Sequence, residues 1–160
     1  MLPQKPLISS IPDSIVDAIT ISPASPNLRS SYVEVDAEGK SLHIRSLLEF
    51  VSPDDLDVCA KGTRDRFGFG HDMAECDFGR YLKPEEEPFE GVRIGYYFRA
   101  SFSGIEISPE AFDRLMSRYF TVVTPFVEQH YPKIAAEPWW TEFLEDVAFI
   151  KTRAQSHSIV

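Results

Sequence analysis

No stretch of this chain approaches the ~18 consecutive apolar residues that a membrane-spanning helix needs, so no membrane segment is expected. Cysteine is scarce. Cys59 and Cys76 are the two in 160 residues, which excludes a disulfide framework. In a reducing compartment they read as free thiols. A secretory signal is also lacking. MLPQKPLISSIPDSIVD has no basic cluster followed by an unbroken apolar run, and Pro3, Pro6 and Pro12 interrupt it. A cytoplasmic location is the expectation. Cations are in the minority, with 16 Lys and Arg against 25 Asp and Glu, giving a net charge of −9. Nucleic acid is a poor partner for such a surface, because affinity there comes largely from cations on phosphates.

Catalytic signatures are missing too. GFG at 68–70 and DFG at 77–79 stand without a G-x-G-x-x-G, a G-x-x-x-x-G-K-[ST] or an HRD loop, so a nucleotide-handling site is not expected. Cys59, His71 and Cys76 follow one another at 12 and 5 residues, which matches no common zinc spacing, and a fourth ligand is not evident. The four histidines are scattered, and no glycine-flanked nucleophile elbow is present. The expectation is a protein that is not an enzyme and carries no metal or cofactor. The alternative is a small enzyme or ligand-binding domain with a pocket near His71 and Cys76. A plain adaptor domain is a third reading.

What is present suits one domain over residues 1–160, with 43% hydrophobic and 12% aromatic residues, ample for a core. Residues 1–12 read as an extended arm. A short helix follows, with Ile15, Val16 and Ile19 on one face, ended by SPASPN (22–27). SYVEVDAEGKSLHIRSLLEF (31–50) reads as a β-hairpin turning at Gly39. Ser52-Pro53-Asp54-Asp55 opens a short helix that ends near Gly62. Residues 63–90 show no period and read as a long loop with one short strand.

GVRIGYYFR (91–99) is the strongest strand. Val92, Ile94, Tyr96 and Phe98 alternate with Arg93, Gly95, Tyr97 and Arg99, and Phe102, Ile105 and Ile107 supply its neighbour. Ser108-Pro109-Glu110 caps the best helix, whose stripe runs Phe112, Leu115, Met116, Tyr119, Val123. Pro125 is expected to kink or break it near residue 121. Glu137-Pro138 opens a last helix with Trp140, Phe143, Leu144 and Val147 as its core stripe and Trp139 partly exposed. Residues 155–160 read as a frayed tail. Strands early and helices late predict an α+β fold, an antiparallel sheet with the C-terminal helices on one face.

The charge is patterned. Residues 53–90 carry 11 acids and 5 bases, net −6, against −2 before and −1 after. Asp54, Asp55, Asp57, Asp72, Glu75, Asp77, Glu85, Glu86, Glu87 and Glu90 interleave with Phe67, Phe69, Phe78, Tyr81 and Phe89. One reading is a solvated face that keeps the protein soluble. The other is a docking face for a basic protein, in which the acids, with Tyr81 among the anchors, steer and pair with the partner. In KPEEEPFEG the prolines hold the glutamates extended, and the strand that follows ties them to a rigid frame.

GVRIGYYF, a second strand and then ISPEAFDRLMSRYF resemble the strand–strand–helix unit of bacterial CdiI-type immunity proteins, the partners of contact-dependent growth inhibition toxins. The resemblance covers mainly residues 91–131, and no residue role transfers through it. It implies a protein that binds and neutralises a cognate toxin in the cytoplasm, the toxin being a basic nuclease domain.

Overall fold

In the computed structural model, residues 7–25, 32–80, 82, 84–98 and 101–157 are described. The strands are β1 (Leu7–Ser10), β2 (Thr20–Pro23), β3 (Val33–Asp36), β4 (Phe69–Gly70), β5 (Glu75–Asp77), β6 (Val92–Phe98) and β7 (Ser101–Ile107). The helices are α1 (Asp13–Asp17), α2 (Leu42–Glu49), α3 (Leu56–Arg64), α4 (Pro109–His130), α5 (Pro132–Ala135) and α6 (Trp140–Ser156). The main sheet has the order β1-β7-β6-β5-β4, and β2 and β3 form a separate antiparallel pair. This is the expected α+β fold, with one departure from antiparallel pairing: β1 runs parallel to β7.

Pairing at the centre sets Val92 opposite Ile107 and Ile94 opposite Ile105, with Cys76 beside Ile94. These side chains share one face of the sheet and are buried in a single core with the helices. Helix α4 contributes the longest apolar stripe. Phe112, Leu115, Met116, Tyr119, Phe120 and Val123 recur at helical spacing and are fully buried. Each large side chain so buried contributes about 1.5–3 kcal/mol. Ser108 caps this helix as its sequence predicts. Its Oγ accepts from the Ala111 N–H at 3.0 Å and donates to Asp13 Oδ1 at 2.7 Å. Trp140, Phe143, Val147 and Ile150 of α6 pack on the same core, with Phe120 and Phe143 edge to face at 5.8 Å. Trp139 is half-buried.

Several expectations are corrected. The hairpin over 31–50 does not form: its second half is the helix α2, and β3 pairs with β2 instead. Ile44, Leu47, Leu48 and Val51 are buried at spacings that only a helix places on one side, while Leu42 is exposed. The Glu49 carboxylate accepts from the Val35 N–H at 3.2 Å and ties the helix to β3. The first helix ends at Asp17, ahead of SPASPN, and Thr20–Pro23 is β2. Within the expected extended arm, Leu7–Ser10 is a strand paired with β7, and residues 1–6 lie outside the described residues. In α1 Val16 is buried and Ile15 is exposed. The 63–90 segment contains two short strands rather than one.

Helix α4 continues unbroken through Pro125 to His130. Leu144 stands 39% exposed, outside the core stripe. Residues 155–157 are not frayed: α6 runs to Ser156, and His157 Nε2 lies 3.1 Å from the buried carboxylate of Asp113. No helix among the described residues is long and apolar enough to cross a membrane.

Candidate functional site

Strand alternation gives the sheet a second face, opposite the helices. Across it Asp77, Arg93 and Glu106 form one row, Glu75, Gly95 and Gly104 the next, and Tyr97 and Phe102 a third. Ile8 lies beside Gly104. None of the apolar side chains on this face joins the core. Backbones approach closely at its centre. A Cβ on Gly95 would lie 2.1 Å from the Ser103 carbonyl oxygen. Tyr97 rises beyond that point. Its ring meets Phe102 edge-on, 5.3 Å between centroids, yet the residue remains 57% exposed.

The segment after β5 folds back onto this face. Phe89 sits under the Arg93 guanidinium at 3.9 Å and against Gly79, whose φ of +76° makes the turn. Asp77 accepts from the Gly79 N–H at 2.8 Å and closes the same turn. Partial burial pushes the Tyr97 phenol above its ordinary value, and the charges of Glu75, Glu86 and Asp77 add to the shift. The charge of Arg93 acts in the opposite direction, and the register puts Glu75 on the row next to Tyr97 and Asp77 one row further. Burial raises the Glu75 carboxyl as well, with the neighbouring Asp77 contributing.

The candidate acids thus divide. Glu75, Asp77 and Glu86 gather at Tyr97, and Glu85 and Glu87 are exposed beside Glu86. Asp72 is exposed in the turn between β4 and β5. Asp54, Asp55 and Asp57 sit elsewhere, at the start of α3, which packs against α6 in the helical layer. Asp54 acts on the phenol of Tyr32, and Tyr32 packs on Phe126 and Tyr131 near the end of α4. Tyr81 lies outside the described residues. The aspartates at the start of α3 and the acids of β5 and the loop after it are thus carried by different elements.

Among the described residues none of these acids is in an ion pair. Among the described residues, most arginines are engaged by other carboxylates, while Arg80 donates to the Asp65 carbonyl and lies over Phe67. Arg114 and Arg118 hold Asp17, Arg66 and Arg153 hold Asp113, Arg64 holds Asp146, and Arg93 holds Glu106.

His71 and Cys76 do not form a dyad. The Met73 N–H donates to His71 Nδ1 at 3.0 Å, so Nε2 carries the proton and donates to the Leu47 carbonyl at 2.9 Å. Both ring nitrogens are thus occupied by backbone. Cys76 is buried on the core side, where its Sγ accepts from the Phe69 N–H at 3.4 Å. Burial pushes its thiol up to about 12. Among the described residues no group of three His, Cys, Asp or Glu is placed to hold a metal ion. A surface groove between α3 and α6 is lined by Lys61, Arg64, Glu142 and Asp146, whose opposite charges pair with one another.

Sequence reasoning did not single out Arg93, Tyr97 or Phe102 as parts of the acidic site. Alternation in GVRIGYYFR placed Arg93 and Tyr97 on a common face. That the acids of β5 and of residues 84–90 lie on that same face depends on the pairing of β5 with β6. Comparison with protein families, curated proteins and solved structures finds no match to this chain.

Proposed function

We propose that this protein binds and neutralises a basic protein partner through the acidic surface contributed by residues 72–90. The supporting observation is that Glu75, Asp77, Glu85, Glu86 and Glu87 are without an ion-pair partner among the described residues, where Arg64, Arg66, Arg93, Arg114 and Arg153 pair with other acids. Unpaired surface carboxylates on a sheet and a pinned loop give fast, salt-sensitive association with a cationic surface. A nuclease domain has such a surface, since it must hold phosphates, and an acidic protein competes for it by charge. The resemblance of residues 91–131 to CdiI-type immunity proteins names the partner class as a toxin domain neutralised in the cytoplasm.

The test is co-expression with the toxin domain encoded beside this gene. Wild type restores growth and binds the purified domain with an affinity that falls as salt rises. A triple variant, Glu85→Lys, Glu86→Lys and Glu87→Lys, loses at least tenfold in affinity, about 1.4 kcal/mol. Unchanged affinity puts the binding face elsewhere. A neighbourhood of metabolic enzymes with no toxin gene sets the immunity reading aside.

A further inference from the structure

Tyr97 is an exposed aromatic ring on the sheet face that carries Glu75 and Asp77, and among the described residues no cation stacks on it. Glu75 and Asp77 lie on the adjacent strand, and Glu86 reaches in from the loop. The one basic side chain described on this part of the sheet is Arg93. It pairs with Glu106 at 3.1 Å and covers Phe89, so its guanidinium contacts those groups, while its charge partly offsets that of the acids at the Tyr97 phenol. Phe102 packs edge-on against Tyr97 and holds the ring in place, while more than half of the residue stays open to solvent. A fixed ring flanked by carboxylates is complementary to a planar cation that can stack and pair at once. Guanidinium does both, whereas an ammonium group is a hydrated point charge.

We propose that the helix-free sheet face at Tyr97 receives an arginine side chain of the partner protein, its guanidinium stacked on the Tyr97 ring and paired with Glu75 and Asp77. This rests on the basic-partner reading above and narrows it to one anchor. It moves the energetic centre from the Glu85–Glu87 run to the sheet: the loop acids steer, and the rigid ring with its two strand carboxylates holds. Tyrosine is among the residues that dominate interface energetics when such a contact is desolvated. The three aspartates at the start of α3 belong to another surface and take no part.

The experiment uses the ¹⁵N-labelled full chain and two blocked peptides, (Arg-Gly)₃ and (Lys-Gly)₃, followed by amide shift changes. The arginine peptide shifts residues 75–77 and 93–97 and binds about two- to fivefold more tightly than the lysine peptide, the range expected for an exposed cation–π contact. Tyr97→Ala removes that difference and Tyr97→Phe keeps it. Glu75→Gln with Asp77→Asn abolishes the local shifts. Amides outside the site report whether each variant is folded, and Tyr97→Phe and the amide pair remain informative if Tyr97→Ala is not. Shifts centred on residues 54–57, or equal binding of the two peptides that Tyr97→Ala leaves unchanged, overturn the arginine anchor and leave the basic-partner reading standing. No shifts with either peptide overturn both.

Discussion

Arg93 in β6 lies over the ring of Phe89, its guanidinium carbon 3.9 Å from the ring centroid. Glu106 of β7 holds the same guanidinium at 3.1 Å. The contact fastens the 84–90 segment to the middle of the sheet. Four glutamates surround Phe89 in sequence, and this ring is what gives them a place on the framework. Gly79 completes the attachment, because the Phe89 ring packs close against it, 3.3 Å from where a Cβ would sit.

Gly79→Ala tests that attachment. A Cβ there would sit 3.3 Å from the ring, at a φ of +76° that disfavours any side chain. The expected loss is about 1–2 kcal/mol for the left-handed conformation, measured by urea unfolding. Phe89 should move as well, so the aromatic resonances of Phe89 shift while those of Phe112 and Phe143 do not. No loss of stability would mean the turn re-forms in another geometry.

Asp113→Ala tests the charge cluster inside the helical layer. Asp113 is fully buried, with Arg66 Nη2 at 2.7 Å, Arg153 Nη2 at 3.1 Å and His157 Nε2 at 3.1 Å. Removing it leaves two arginines facing each other without their anion. Breaking a buried pair costs about 3–5 kcal/mol, and the partial exposure of both arginines puts this case at the low end. Release of the α6 C-terminus should accompany it, seen as faster amide exchange in residues 153–157.

The thiols predict an alkaline limit to stability. Burial raises Cys76 from its ordinary 9.0 to about 12 and holds Cys59 well above the ordinary value. Above pH 9 the unfolded chain gives up these protons while the folded chain keeps them. The unfolded state then binds fewer protons, so stability falls as pH rises, from about 9 toward 12 for Cys76. Urea midpoints should be flat from pH 7 to 8.5 and decline beyond. A thiol reagent at pH 8 should find neither cysteine in the native protein and both after unfolding. A native thiol that reacts rapidly would contradict the buried placement.

Local pattern carried much of the fold. β6 alternates over seven residues, and one register satisfies it. The Ser108-Pro109-Glu110 cap and the apolar stripe behind it are written within one stretch of about four turns, so α4 needed no tertiary information to be recognised. Segment 42–50 was ambiguous for a physical reason. Leu42 and Ile44 suit a strand, Ile44, Leu47 and Leu48 suit a helix, and the window is short. The choice came from what Ile44, Leu47 and Leu48 could be buried against.

The acidic bias of residues 53–90, the expectation of an α+β class and the apolar faces of β6, α4 and α6 were determined by sequence alone, because each depends on composition or on spacing within one element. Tertiary structure decided which acids share a surface. Asp54 and Glu75 are similar in sequence context yet lie in different layers, since one opens a helix packed on α6 and the other lies on a strand paired with β6. It also decided that these carboxylates stay without an ion pair among the described residues, where arginines join acids up to 101 positions away, as Arg114 does with Asp13. Such pairings follow from how elements pack, which no local pattern of residues specifies.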